Sequence, residues 1–248
     1  MTADTGAIAR FRASPRSECL PLRLSGTSFC FVRMQRKGVK TVAEAPHLKT
    51  QHLLLRPLEL SDLDDYAALY ADREVVRHLA GGPEPWDRSR SWRHLAFVRG
   101  HWQLKGTGVW AIEHRESGAF VGSTGFWEPE GWPGFELAWA LARRFWGQGF
   151  ATEAARAALD HAFAVWRKDR VISLVHPKNR ASIRVAERLG QSLLGRIRHA
   201  GREMLLFGIE PPARSGNQAC RNRPIATAEV PSLAERHAKP RELSREVT

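Results

Sequence analysis

Cysteine is scarce in this chain of 248 residues, with three in all: Cys19, Cys30 and Cys220. None lies in the stretch with regular apolar spacing, no two form a CxxC pair, and the count is odd. That argues against a disulfide framework and a thiolate zinc site, and it leaves no cysteine nucleophile in the core. A reducing cytoplasm fits this usage. Long apolar runs are also missing. No segment approaches the ~20 residues a bilayer span needs, and mean hydropathy is −0.38. No membrane association is expected. Acidic residues are in deficit, 26 against 38 Lys and Arg, for a net charge of +12. One reading is attraction to a polyanion such as nucleic acid, a ribosome or an acidic cofactor. The other is a solvated, arginine-rich surface. The cations are spread along the chain without a Lys/Arg block or a nucleic-acid motif, which favours the second reading. No specific DNA binding is expected.

Hydrophobic residues make up 43% of the chain, enough for one sizeable core, and the length suits one to two domains. The first ~45 residues are rich in Arg and Ser and poor in acids, a composition shared with transit peptides. Met34 offers a second start, which would make the residues before it an upstream extension. Either way residues 1–47 are expected to be a leader without fixed structure. Residues 211–248, after Pro211-Pro212, carry no apolar period and are expected to be a disordered basic tail. One domain is expected over residues 48–210.

Within that domain, Leu53 to Leu58 reads as a strand, and Ser61-Asp62-Leu63-Asp64 as a helix cap before Leu63, Tyr66, Ala67 and Tyr70 at helical spacing. A second helix is expected over 90–104, with Trp92, Leu95, Ala96, Val98 and Trp102 as apolar positions. Segments 109–113 and 119–126 read as a hairpin about Glu116-Ser117-Gly118, followed by a strand over 135–142. A helix over 150–166, a strand over 170–176, a helix over 179–189 stopped by Gly190, and a closing pair over 193–198 and 204–209 complete the domain. The order is β-α-α-β-β-β-α-β-α-β-β. This predicts an α/β (α+β) fold with a mixed, mostly antiparallel central sheet flanked by helices.

The strongest motif is Arg144-Phe-Trp-Gly147-Gln148-Gly149-Phe150-Ala151, between a strand and an Ala-rich helix. A helix start carries unpaired N–H groups and the positive end of the helix dipole. Glycines there let a phosphate approach the main chain. Two other phosphate loops do not fit. A dinucleotide fingerprint wants a third glycine where Thr152 stands, and a Walker loop wants a lysine after the glycines. The second motif is His176-Pro-Lys-Asn179-Arg-Ala-Ser182, at a strand end and helix start. Asn179 is either a helix cap or a hydrogen-bonding group for an amide-bearing ligand, and Ser182 lies one turn on. Five tryptophans, Trp102, Trp110, Trp127, Trp132 and Trp139, are core builders or pocket walls; Trp127 and Trp139 are kept as walls. His94 and His101 have no third ligand, so no metal site is expected.

These residues together resemble the GNAT superfamily of acetyl-CoA-dependent N-acetyltransferases, and within it the branch that acts on ribosomal-protein N-termini. The likeness runs through Leu55-Arg56-Pro57-Leu58 with Asp62, Val121-Gly122, Glu136-Leu-Ala-Trp-Ala-Leu, the glycine loop with Ala151-Thr-Glu-Ala154, and Asn179-x-x-Ser182 with Leu189-Gly190. The resemblance implies acetyl-CoA as co-substrate and no metal. It implies that amides from Gly147 through Gln148, Gly149 and Phe150 to Ala151 hold the pyrophosphate, with Arg144 adding charge. It implies that the strand ending at Leu141 splays from the next one and that the pantetheine arm fills the gap, steadied by Asn179. Glu136 resembles the superfamily's proton acceptor, with a solvent-facing strand-end charge as the alternative. Ser182 resembles its thiolate partner, with a helix-surface serine as the alternative. Arg143 stands where the branch often has an acid or proline. The implied activity is direct transfer of acetyl to a primary amine, on a protein N-terminus or a small molecule, by a monomer or homodimer that could associate with the ribosome. The rival is a non-catalytic acyl-CoA sensor, or a basic ribosome- or RNA-associated protein on the same scaffold.

Overall fold

The computed structural model describes residues 45–79 and 81–212, together with strands β1 (Cys19–Leu24) and β2 (Thr27–Val32). β1 and β2 pair antiparallel from Cys19↔Val32 to Leu24↔Thr27. They fall in the span expected to be a leader. The remainder of residues 1–44, and the tail from residue 213, lie outside the described residues.

The main unit is built on an eight-stranded sheet. In spatial order it runs β3 (Leu48–Lys49), β4 (Leu53–Pro57), β5 (Val109–His114), β6 (Phe120–Trp127), β7 (Glu136–Leu141), β8 (Val171–Val175), β10 (Arg202–Ile209) and β9 (Ser192–His199). Every neighbouring pair is antiparallel except β7 and β8. The expected sheet class therefore holds. Two short elements had no period long enough to read: β3, and the single turn α2 (Arg73–Val76).

Side-chain alternation along the strands creates two cores. Val109 and Ala111 of β5 face α1 (Leu63–Ala71) and α3 (Arg88–Lys105), where Leu63, Tyr66, Leu69, Leu95 and Val98 pack. Trp110 and Ile112, the intervening residues, face α4 (Phe150–Ala164), where Ala154, Ala155, Ala158, Leu159 and Ala162 pack. The alanines let α4 lie close on the strands, and the bulk comes from Trp110, Leu53, Leu55 and Leu137. α5 (Arg180–Arg188) follows β8 and closes the far end.

Two local expectations fail. Trp92 and Ala96 are exposed rather than buried. The inward stripe of α3 is Ser91, Leu95, Val98 and Trp102, and a residue one position off such a stripe sits ~100° away around the helix. Ser61 does not cap α1 either. A 3-10 turn at Leu60–Asp62 leads into the helix, and the buried carboxylate of Asp62 does the fixing. It accepts from the Glu59 N–H at 2.8 Å and from both terminal nitrogens of Arg56, at 2.9 and 2.7 Å. Arg56 Nε also donates to Glu113 at 2.6 Å.

Candidate active site

Gly147 and Gly149 both take positive φ, +79° and +86°, and an added Cβ at either would meet nothing within 4 Å. The turn is therefore open on its outer side. Trp146 donates its N–H to Arg143 and Glu153 donates to Gly149. Between them, the amides from Gly147 to Thr152 have no hydrogen-bond acceptor among the described residues. The Thr152 hydroxyl is buried without a partner. Open space, unpaired amides and a helix N-terminus fit a diphosphate. Glu153 in the same turn is occupied elsewhere: it accepts from Thr50 Oγ1 at 2.5 Å and from the His52 N–H at 2.8 Å. Arg144 lies at the start of the same turn. Its guanidinium donates to the Phe120 carbonyl at 3.1 Å, and Gln148 donates its side-chain amide to the Arg144 carbonyl.

β7 and β8 meet at a single register pair, Glu136↔Ile172. There the Ile172 N–H donates to Phe135, and Ser173 Oγ donates to the Leu137 carbonyl at 2.7 Å. Beyond that point the strands part. Ala142 donates its N–H to Val121 on the β6 side, and backbone groups alternate sides along a strand. The N–H groups of Trp139 and Leu141 therefore face the gap. The Leu141 carbonyl is taken by the Trp146 indole at 2.7 Å, which leaves the Leu141 N–H and both groups of Trp139 for a ligand.

Glu136 is 7% exposed, not a solvent-facing strand end. Its carboxylate accepts from Trp132 Nε1 at 2.6 Å and lies 3.4 Å from the Leu174 N–H. Burial pushes its pKa up to about 7, against the pull of those two donors. A carboxylate poised there can take a proton near neutral pH.

Across the gap, Asn179 Oδ1 caps α5 by accepting from the Ser182 N–H at 3.1 Å, so its amide NH2 is the group left for a ligand. Ser182 Oγ accepts from Trp139 Nε1 at 3.3 Å, which leaves the serine proton free to donate. Glu136, Trp127, Trp139, Asn179 and Ser182 all line one cavity of about 540 Å³.

The same cavity is lined by residues the sequence did not single out for a site. Trp132, set aside with the core tryptophans, touches the candidate base. Tyr66, Tyr70, Trp86, Arg90 and His94 form the wall towards α1 and α3. Nothing in the linear order signals that residues 66–94 face residue 136; the sequence marks only that Arg90, His94 and Phe97 share one face of the expected helix. Trp102 and Trp110 are core, and His101 is a staple, bonded through Nδ1 to the Thr107 carbonyl at 2.7 Å and through Nε2 to the Glu128 N–H at 3.2 Å. No cluster of metal ligands occurs among the described residues, and none of their helices is long and apolar enough to cross a membrane.

Comparison with known proteins agrees with this geometry. The family model for an acetyltransferase (GNAT) domain matches residues 52–192. The uncharacterized protein YkkB of Bacillus subtilis is 30% identical over 163 residues, 64% of this chain and 93% of YkkB. The uncharacterized N-acetyltransferase p20 of Bacillus licheniformis is 28% identical over 153 residues, 61% of this chain and 85% of p20. The crystal structure of an acetyltransferase from Agrobacterium tumefaciens superposes with a TM-score of 0.61 at 30% identity, covering 68% of this chain and 96% of that one. With more than half of its length matched by the family model, the chain belongs to the GNAT acetyltransferases, enzymes of acyl transfer.

Proposed function

We propose that this enzyme moves the acetyl group of acetyl-CoA to a primary amine by direct attack in a ternary complex. The observation that carries the reading is Glu136: a buried carboxyl with its pKa near 7, at the one point where β7 leaves β8. The amides from Gly147 to Thr152 bind the diphosphate of the coenzyme. The freed Trp139 and Leu141 groups and the Asn179 amide hold its pantetheine arm. Acetyl-CoA supplies an activated thioester.

A free alkyl amine, with pKa ~10, is mostly protonated near pH 7 and has no lone pair to attack with. Glu136 takes that proton, directly or through a water. The amine nitrogen then forms the new C–N bond as the C–S bond breaks. Strand amides at the gap donate to the carbonyl oxygen as it gains charge. Ser182 donates a hydrogen bond to the departing sulfur, and the second proton shed by the attacking nitrogen balances the one that sulfur takes up as coenzyme A leaves as its thiol. No covalent enzyme intermediate is required.

The test is thiol release from acetyl-CoA over a panel of amines and short peptides, in the wild type and in Glu136→Gln. Acceptor-dependent release that is lost in Glu136→Gln supports the proposal. Tight coenzyme binding with no release for any acceptor would make the protein an acyl-CoA sensor instead.

A further inference from the structure

The cavity has two chemically different ends. Glu136 and the β7–β8 gap form one. The other is walled by Trp86 and by Arg90, His94 and Phe97 of α3, which share one helix face. At that second end two donors, the Trp86 indole N–H and the Arg90 guanidinium, are short of acceptors, and neither carboxylate lining the cavity, Glu130 or Glu136, is paired with Arg90. Trp86 is 9% exposed, and its indole N–H is buried with no hydrogen-bond partner among the described residues. A buried unpaired donor costs ~1–3 kcal/mol, a cost that an acceptor brought by a ligand would relieve.

Arg90 is half-buried with its guanidinium carbon 4.6 Å above the Trp86 ring. It makes one long contact, 3.5 Å to the Gly81 carbonyl, and no ion pair among the described residues. His94 offers Arg90 no counter-charge, because an imidazole is neutral or cationic, and its Nδ1 is already held 2.7 Å from the Tyr66 hydroxyl. Burial, and then the Arg90 charge, push its pKa down to about 4, so it is a neutral ring at working pH. One face of each ring is also covered. Tyr70 stacks on Trp86 with centroids 4.2 Å apart, and Phe97 stacks on Trp127 at 5.4 Å. The wall is therefore not an open aromatic cage for a cation. A second ammonium on the acceptor would meet Arg90.

Resting on the acetyl-transfer reading, we propose that the acceptor is a small amino carboxylate. Its primary amine is presented to Glu136. Its apolar body lies along Trp127 and Trp132. Its carboxylate is bound by the Arg90 guanidinium and the Trp86 indole N–H. A polyamine would place a cation against Arg90, and a peptide N-terminus would place a neutral amide there.

Steady-state acetylation of L-phenylalanine and L-leucine, against 2-phenylethylamine, isopentylamine, L-phenylalaninamide and spermidine, tests this. The amino acids should be preferred over their decarboxylated counterparts by about tenfold or more in kcat/KM, the range of a charge-assisted hydrogen bond. Arg90→Gln should collapse that preference, with the loss falling on KM rather than kcat. Trp86→Phe, which removes only the N–H, should weaken it less. Equal use of 2-phenylethylamine or L-phenylalaninamide would overturn the proposal while leaving acetyl transfer intact. If no acceptor is turned over, calorimetry of L-phenylalanine and L-leucine against the coenzyme A-bound protein decides. Binding by the wild type that is lost in Arg90→Gln upholds this recognition and removes the catalytic reading. No binding by the wild type overturns it.

Discussion

Glu136→Gln separates two consequences of burying a carboxyl at the gap. In the wild type, burial outweighs the Trp132 and Leu174 donors and carries the pKa to about 7. A rise of that size favours the protonated form by about 3 kcal/mol in the folded chain. The folded state holds this proton more tightly than the unfolded one. Below about pH 4 both states are protonated and the group's contribution is fully present. As pH rises towards 7 the unfolded chain ionises first, and stability falls by about 1.4 kcal/mol per pH unit. Above pH 7 the whole of the ~3 kcal/mol is gone.

Glutamine has no such proton, and its amide oxygen still accepts from Trp132. Denaturant titrations at pH 5, 6, 7 and 8 should therefore show Glu136→Gln more stable than wild type above pH 7, by up to ~3 kcal/mol. The two curves should converge towards pH 5. Activity moves the other way. At saturating substrates, wild-type kcat should rise about tenfold per pH unit to a plateau near 7, and the variant should lose that limb with about 100- to 10,000-fold of the rate. Coenzyme affinity should be untouched. A wild-type kcat that is flat from pH 5.5 to 8, or parallel stability curves for the two proteins, would refute both the buried-base reading and its energetics.

Three further outcomes are expected. Trp132→Phe removes a donor that stabilises the Glu136 carboxylate, so the rising limb of kcat should move to higher pH, by about one unit or more. An unmoved limb would show that the 2.6 Å contact does not act on the base. Gly149→Glu puts bulk and negative charge into the open turn and forces a side chain into positive φ, costing about 1–2 kcal/mol of backbone strain. Coenzyme binding by calorimetry should disappear while cooperative melting survives, and unchanged affinity would remove the diphosphate site from this turn. Arg56→Ala leaves the buried Asp62 carboxylate without its two guanidinium bonds and Glu113 without its partner. Stability should fall by about 3 kcal/mol in urea unfolding, and a loss below 1 kcal/mol would show that the network only decorates the start of α1.

Much of the architecture was legible in the chain. Short apolar runs between turn residues marked β5, β6 and β7, and a 3.6-residue recurrence marked α1 and α4, because those patterns arise from local backbone geometry. Helix boundaries set by a single residue also came through. Asn179 caps α5, and Gly190 takes φ +84° after it, since caps depend on one residue's own dihedral or side chain. Failures appeared where the deciding partner is remote. Trp92 reads as core by hydropathy and faces solvent, and Ser61 reads as a cap where Asp62 is claimed by Arg56. The bond from the Arg144 guanidinium to the Phe120 carbonyl, 24 residues away in sequence, was likewise not legible in the chain.

The order of residues alone determined that a glycine turn opens a helix after a strand, and that Glu136 sits at the head of that strand. Those are short-range facts of spacing and conformational freedom. Tertiary structure alone decided that Glu136 is buried beside Trp132, which lifts the pKa of an ordinary carboxyl to about 7. It alone brought Trp86 and Arg90 into the same cavity, about fifty residues upstream in sequence. The reason is that desolvation and pairing depend on which atoms exclude water from a group, and the folded sheet, not the order of the chain, sets those neighbours.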